Sequence, residues 1–236
     1  MNRSSIFETS DGSHSLYSEQ YEVSYHSKYG ALTETRHVFI EAGLQYRAVD
    51  KQRLNVLGIG FGSGLNAFIT MLEARRQGLH INYEAIEAYP LQEAQWKQLN
   101  YAAHVEDQDA ALLFSKLHEL PWHERHEVVE HFHFTKRKKA IEELQYMPTF
   151  DVIYFDAFAP NAQPELWGAD VMQRMHDALL PGGALVTYCA KGAVKRTLRG
   201  VGFEVEALPG PPGKREMTRA VKSGERVLPS DKIIER

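Results

Sequence analysis

The run Leu54 to Asn66 reads LNVLGIGFGSGLN, and it constrains the fold more than any other stretch of the chain. A short apolar stretch breaks into glycines at alternate positions, Gly58, Gly60, Gly62 and Gly64, and then resumes with the apolar spacing of an amphipathic helix. This is a strand, a tight turn and a helix start, the opening unit of a nucleotide-binding α/β sheet. Glycine lets the backbone turn sharply and approach a ligand where any Cβ would collide. The expectation is a small cofactor held against bare main chain, with Gly58, Gly60, Phe61, Gly62, Ser63, Gly64 and Asn66 as the binding segment.

The turn also narrows the choice of cofactor. A dinucleotide fingerprint needs G-x-G-x-x-G, but Ser63 takes the third glycine's place counted from Gly58, and Leu65 takes it counted from Gly60. A Walker-type loop ends in Gly-Lys-Ser/Thr, and this turn carries no lysine. The remaining pattern resembles motif I of the class I S-adenosylmethionine-dependent methyltransferases, which implies S-adenosylmethionine as the cofactor.

With 236 residues the chain has room for one domain of ordinary size plus an appendage. No apolar run approaches the roughly 18 residues of a membrane span, and the N-terminal MNRSSIFETS lacks the apolar core of a secretory signal. A cytoplasmic protein without a membrane partner is expected. The one cysteine, Cys189, excludes an internal disulfide and a thiolate metal cluster, and its place in ALVTYCA predicts a buried strand residue. A net charge of −4 argues against a general positive field that coats DNA or RNA. The charge is uneven, however. From Lys191 to Arg219 seven bases face three acids, a surplus of four, so the remainder carries −8. A basic C-terminal third on an acidic protein suits a polyanionic substrate held at one edge; a solvated helix face is the plainer alternative.

Residues 6–40 carry short β-type runs, IFETS, HSLY, YEVSYHS and TRHVFIEAG, with turn signals at Asp11-Gly12 and Tyr29-Gly30. They predict an N-terminal β appendage over residues 1–50. From Asn55 the pattern alternates: strand NVLGIG, helix Leu65 to Gln77 ending at Gly78, strand INYEAIEA, helix Pro90 to Leu99, strand VVEHFHFT and strand FDVIYFDAF. A helix through PELWGADVMQRMHDALL follows, closed by Pro181-Gly182-Gly183, then strand ALVTYCA, helix AVKRTLRGVG and strands FEVEAL and REMTRAV. This order predicts an α/β fold with a doubly wound, mostly parallel sheet over residues 51–222, and a polar tail over 223–236.

In such sheets ligands bind beyond the carboxyl ends of the strands, near the reversal of strand order. Glu87 follows the second strand, twenty-three positions past Gly64, where an acid can bond both ribose hydroxyls of an adenosine. The fourth strand ends in Asp156-Ala157-Phe158-Ala159-Pro160. A carboxylate, an aromatic ring and a proline there suit a substrate amine and a flat ring.

LGIGFGSGLN, DAFAPNAQPELW, LLPGGALVTYCAKGAVKRTL and GPPGKREM occur in this order, after YEVSYHSKYGALTETRHVFIEAG. Together they resemble the methyltransferase family of bacterial tRNA wobble-uridine modification, which converts 5-aminomethyl-(2-thio)uridine to its 5-methylaminomethyl form. The resemblance spans roughly residues 19 to 220. It implies a tRNA anticodon arm as partner. In many bacteria this methyltransferase is fused to a flavin-dependent oxidoreductase; no second dinucleotide fingerprint occurs here, so the chain is similar to the stand-alone form and FAD is not expected. It further implies that Asp156 orients the amine and accepts its proton, that Ala157 offers a backbone carbonyl, and that Phe158 and Pro160 meet the uracil. Lys191, Lys195, Arg196, Arg199, Lys214 and Arg215 would hold phosphates, with Lys195 and Arg199 sharing a helix face.

One departure stands out. Class I methyltransferases usually place an acid or amide after the third strand to receive the adenine amino group, but HFHFT runs into Lys136-Arg137-Lys138-Lys139, and a lysine cannot accept that bond. A backbone carbonyl near Thr135 is one substitute, and a slipped alignment is the other explanation. His123, His126, His131 and His133 lack H-E-x-x-H spacing, so no metal is expected. Two rivals remain: an aminopropyltransferase of the spermidine-synthase type, which would need more acids for a polyamine, and a non-catalytic RNA-binding module on the same fold.

Overall fold

The structure is a computed structural model and describes residues 4–49 and 51–224. The expected polar tail therefore lies, from residue 225 on, outside the described residues. Strands β1 (Ser4–Glu8), β2 (His14–Ser18) and β3 (Val23–Ser24) form a small antiparallel sheet. The remaining strands are β4 (Arg53–Ile59), β5 (His80–Glu87), β6 (Arg125–Val129), β7 (Phe132–Lys138), β8 (Phe150–Phe155), β9 (Leu179–Thr187), β10 (Phe203–Pro209) and β11 (Glu216–Lys222). They make an eight-stranded sheet in the order β10-β11-β9-β8-β4-β5-β7-β6. Its five central strands run parallel, and the edges are antiparallel hairpins. The order reverses at β4, which pairs β5 on one side and β8 on the other.

Alternation along β8 shows how the sheet divides the core. Val152 and Tyr154 enter one buried cluster, while Ile153 and Phe155 enter the second on the opposite face. Helices α3 (Leu65–Gln77) and α5 (Ala110–Glu119) supply Phe68, Met71, Leu113 and Phe114 to the first face. Helices α6 (Ala169–Ala178) and α7 (Gly192–Gly200) supply Met172, Met175, Val194 and Leu198 to the second. Both faces of the parallel region are covered, as a doubly wound sheet requires.

Several elements differ from the sequence expectation. TRHVFIEAG is not a strand: α1 (Ala31–Thr35) continues through a π-wound stretch, Arg36–Gln45, into α2 (Tyr46–Ala48). Its Thr, Val and Ile residues favour a strand locally, but Val38, Phe39, Ile40 and Leu44 are buried in the first core cluster, with the π-wound stretch packed on β8 and β9, and that burial decides the matter. VVEHFHFT is a hairpin rather than one strand; His131 turns it with φ of 66°, so His131 and His133 do not share a strand face. The helix expected from Pro90 shortens to α4 (Glu93–Trp96), capped reciprocally by Gln92 and Gln95. Pro181-Gly182-Gly183 does not close α6 but lies within β9, where the register shifts between Phe150 and Val152 of β8. Helix α5 is an addition to the elements expected from the sequence.

Candidate active site

A cleft partly open to solvent lies beyond the carboxyl ends of β4, β5 and β8. Nine of the predicted residues line it: Gly60, Phe61, Gly62, Ser63, Asn66, Glu87, Asp156, Ala157 and Phe158. Gly58 and Gly64 do not. Gly58 lies within β4, where a Cβ would come 2.5 Å from the Tyr83 hydroxyl, so its task is packing; Gly64 caps α3. Gly60 carries the turn. Its φ is 90°, and a Cβ there would sit 3.0 Å from the Asp156 carbonyl oxygen. Asp156 N–H in turn donates to Ile59 O at 3.1 Å, and Gly60 and Phe61 N–H both donate to Ile86 O. The three strand ends are thereby fixed together by main-chain bonds.

Glu87 sits at the end of β5 with both oxygens aligned by backbone donors. Oε2 accepts the Gly62 N–H at 2.9 Å, and Oε1 accepts the Tyr89 N–H at 2.8 Å. Burial pushes this carboxyl up, and the surrounding N–H groups pull it back. A carboxylate offers about four acceptor sites, so capacity remains for a vicinal diol. Cradle and acid together fit an adenosine-bearing cofactor.

The region after β7 brings residues to the cleft that lie beyond the basic run. Lys136 is turned away, its ammonium donating to His118 O and lying 4.8 Å from the Trp122 ring centroid; burial pulls it down to about 8. Because β7 continues through the basic run to Lys138, the cleft wall begins only afterwards, with Lys139, Ala140, Ile141 and Glu142. Thr135 is buried within the strand and does not line the cavity. Glu142, the first acid beyond the strand, is hidden in the sequence because HFHFT looks like the strand's end.

Asp156 follows β8 and is a half-buried carboxylate of the cleft. Thr35 Oγ1 donates to Asn66 Oδ1 at 2.9 Å, and Asn66 Nδ2 donates to Asp156 Oδ2 at 2.7 Å. Burial and then the Glu34 charge push Asp156 up to about 7, against the Asn66 hydrogen bond and the Lys214 charge. The next residue, Ala157, accepts the Tyr188 hydroxyl on its carbonyl at 2.9 Å. Phe158 packs against Tyr21 and Tyr25, with ring centroids 5.1 Å and 5.0 Å away. The N-terminal segment thus walls the cleft with Tyr21, Tyr25 and His26, all from the YEVSYHS run, to which no site role was assigned from the sequence. Burial pulls His26 down to about 4, so it is neutral there.

The sequence profile of the S-adenosyl-L-methionine-dependent methyltransferases matches residues 91–223. The chain belongs to this family. This methyltransferase is 31% identical over 220 residues to the tRNA 5-methylaminomethyl-2-thiouridine biosynthesis bifunctional protein MnmC of Cupriavidus necator. The match covers 86% of this chain but only 32% of that protein's length. In structure, the MNMC2 protein of Aquifex aeolicus matches with a TM-score of 0.79 at 23% identity, covering 95% of this chain and 72% of that one. Spermidine synthase from Thermotoga maritima matches with a TM-score of 0.54 at 14% identity, covering 94% of this chain and 69% of that one. Both structural likenesses speak for the fold, a class I methyltransferase sheet. Among the described residues no helix is long and apolar enough to cross a membrane, and no group of three or more His, Cys, Asp or Glu could hold a metal ion.

The basic segment of the methyltransferase is less free than its sequence implies. Lys195 is 9% exposed, with its ammonium 2.8 Å from Glu216, so it does not share an open face with exposed Arg199. Lys214 pairs with buried Glu34, and Arg219 pairs with Glu206 at 2.6 Å. Lys191 donates to Asn161, next to Pro160, and neither Lys191 nor Pro160 lines the cavity. Arg196, Arg199 and Arg215 are exposed. A count of charges along the chain does not show that Glu206 of β10, Glu216 of β11 and Glu34 of α1 are each paired with one of these bases.

Proposed function

We propose that the chain transfers a methyl group from S-adenosylmethionine to the amine of 5-aminomethyl-(2-thio)uridine at the tRNA wobble position, giving the 5-methylaminomethyl form. The observation that carries this reading is Asp156: a half-buried carboxylate beside the glycine cradle, pushed up to about 7, is matched to an amine that must lose a proton near neutral pH. The name of the Cupriavidus necator relative supports the same substrate.

Gly60, Gly62 and Glu87 would hold the cofactor, which supplies an electrophilic methyl on sulfur. An alkyl ammonium is largely protonated at neutral pH, so Asp156 takes one proton, directly or through water. During transfer the N–H groups of the neutral amine donate to an Asp156 oxygen and to the Ala157 carbonyl, which turns the lone pair toward the methyl. The carbon–sulfur bond breaks as the nitrogen–carbon bond forms, and the proton passes from Asp156 to solvent. Alignment of this kind supplies much of the acceleration. Phe158, with Tyr21 and Tyr25, offers the uracil an aromatic wall once the base leaves the anticodon-loop stack. Glu142 is the proposed acceptor for the adenine amino group. Exposed Arg196, Arg199 and Arg215 contact phosphates of the anticodon arm, and the reaction is placed in the cytoplasm, where tRNA is.

Incubation with methyl-labelled S-adenosylmethionine and aminomethyl-bearing tRNA, without added flavin or metal, tests the reading. Label on tRNA is expected; label on DNA, protein or a polyamine but never on tRNA overturns it.

A further inference from the structure

Glu34 and Thr35 are consecutive residues of α1, far in sequence from the strands that build the cleft, and each begins a chain of contacts that ends at one of the two groups facing the reacting amine. Thr35 is fully buried. Its hydroxyl donates to Asn66 Oδ1 at 2.9 Å, and Asn66 Nδ2 donates to Asp156 Oδ2 at 2.7 Å, so the amide is held from both ends. Without that hydroxyl Oδ1 loses its donor and the amide is held only by its bond to the carboxylate, so its aim loosens.

Glu34 is 5% exposed and begins the second chain. Its Oε2 accepts the Ser27 N–H at 2.7 Å, while Oε1 accepts the Lys214 ammonium from the loop between β10 and β11. Lys214 Nζ lies 4.1 Å from the centroid of the Tyr188 ring, and the Tyr188 hydroxyl donates to Ala157 O at 2.9 Å. A half-buried ammonium paired with a buried carboxylate is a weak way to gain stability, since apolar packing of the same volume often does as well or better. Its placement against the ring that holds the Ala157 carbonyl gives the pair a second task.

We propose that Glu34 and Thr35 are positioning residues for methyl transfer: Thr35 aims the Asp156 carboxylate through Asn66, and Glu34 aims the Ala157 carbonyl through Lys214 and Tyr188. The proposal rests on the amine-accepting role given to Asp156 above. The two chains also act on Asp156 in opposite senses. The Asn66 donor favours its charged form, whereas the Glu34 charge disfavours it; the other groups facing it are Lys214, whose charge favours ionisation, and the neutral phenols of Tyr83, Tyr101 and Tyr188.

The test combines Thr35→Val, Thr35→Ser and Glu34→Gln in the full chain. Two readouts are followed: the titration of the Asp156 carboxyl by carbon NMR, and kcat against KM on aminomethyl-bearing tRNA. S-adenosylmethionine affinity by calorimetry reports that the fold is intact. Thr35→Val is expected to move the Asp156 titration to higher pH and lower kcat by about tenfold to a hundredfold, with cofactor affinity unchanged; Thr35→Ser restores both. Glu34→Gln is expected to move the titration to lower pH and also to lower kcat. Titration midpoints that stay put, or that move in the same direction in both variants, overturn the positioning proposal even if the wild type methylates tRNA. Opposite shifts in a wild-type background that never methylates aminomethyl-bearing tRNA overturn the substrate reading and leave the positioning network standing.

Discussion

Glu87 Oε2 accepts the Gly62 N–H at 2.9 Å, so the acid after β5 and the glycine turn after β4 form one unit. Replacing Glu87 by Ala therefore removes the proposed ribose acceptor and the anchor of the turn together. Cofactor affinity is expected to fall by about 1–3 kcal/mol, the range for hydrogen bonds to a charged group. Calorimetric titration with S-adenosylmethionine measures it. An unchanged dissociation constant with the fold intact moves the ribose contact elsewhere.

Asp156 makes a prediction in which stability and turnover part company. Its carboxyl titrates near 3.8 when unperturbed and is pushed up to about 7 in the fold. Between those values the native state holds a proton that the unfolded chain has released, so this group makes stability fall as pH rises from about 4 to about 7. Asp156→Asn removes that slope. The variant is expected to be more stable than the wild type at pH 8 by on the order of 2–4 kcal/mol, and about equal to it at pH 4. Its turnover is nonetheless expected to be largely lost, because an amide cannot accept the proton. Wild-type turnover declines as pH falls through about 7. Urea unfolding and single-turnover kinetics across this window check both halves; a variant that turns over near the wild-type rate contradicts the role of Asp156.

The ion pairs in the basic segment separate its residues into two groups. Alanine at Arg196, Arg199 or Arg215 is expected to weaken tRNA binding and lower the salt slope by roughly one unit for each phosphate no longer neutralised, without changing cofactor affinity. Lys195→Ala is expected to act on stability instead, since it leaves Glu216 without its partner at 2.8 Å. Titrations of tRNA at several salt concentrations distinguish the two groups. A salt slope untouched by all three arginine variants places the anticodon arm on another face.

Much of this was legible in the sequence because local chemistry and fold agree there. Gly64 and Gly78 bound α3 as the spacing of Leu54 to Gly78 predicts, and Glu87 and Asp156 arrive at one cleft because parallel strands put their carboxyl ends on one edge. What was not legible depends on distant partners. The β-branched run around Val38 becomes helical because β8 and β9 bury it, and the Thr35 to Asn66 hydrogen bond exists only once that helix is docked. Likewise Lys195 and Lys214 look like free cations until Glu216 and Glu34 come beside them.

The central claim is the identity of the methylated nucleoside. The most direct measurement is mass analysis of nucleosides from aminomethyl-bearing tRNA after reaction with methyl-labelled S-adenosylmethionine, for the wild type and for Asp156→Asn side by side. The wild type is expected to convert the 5-aminomethyl nucleoside of the wobble position to a product heavier by one methylene and labelled on the amine nitrogen, and Asp156→Asn to leave the starting nucleoside in place. Label on a ribose, on another base or on no nucleoside, or full conversion by Asp156→Asn, would contradict it.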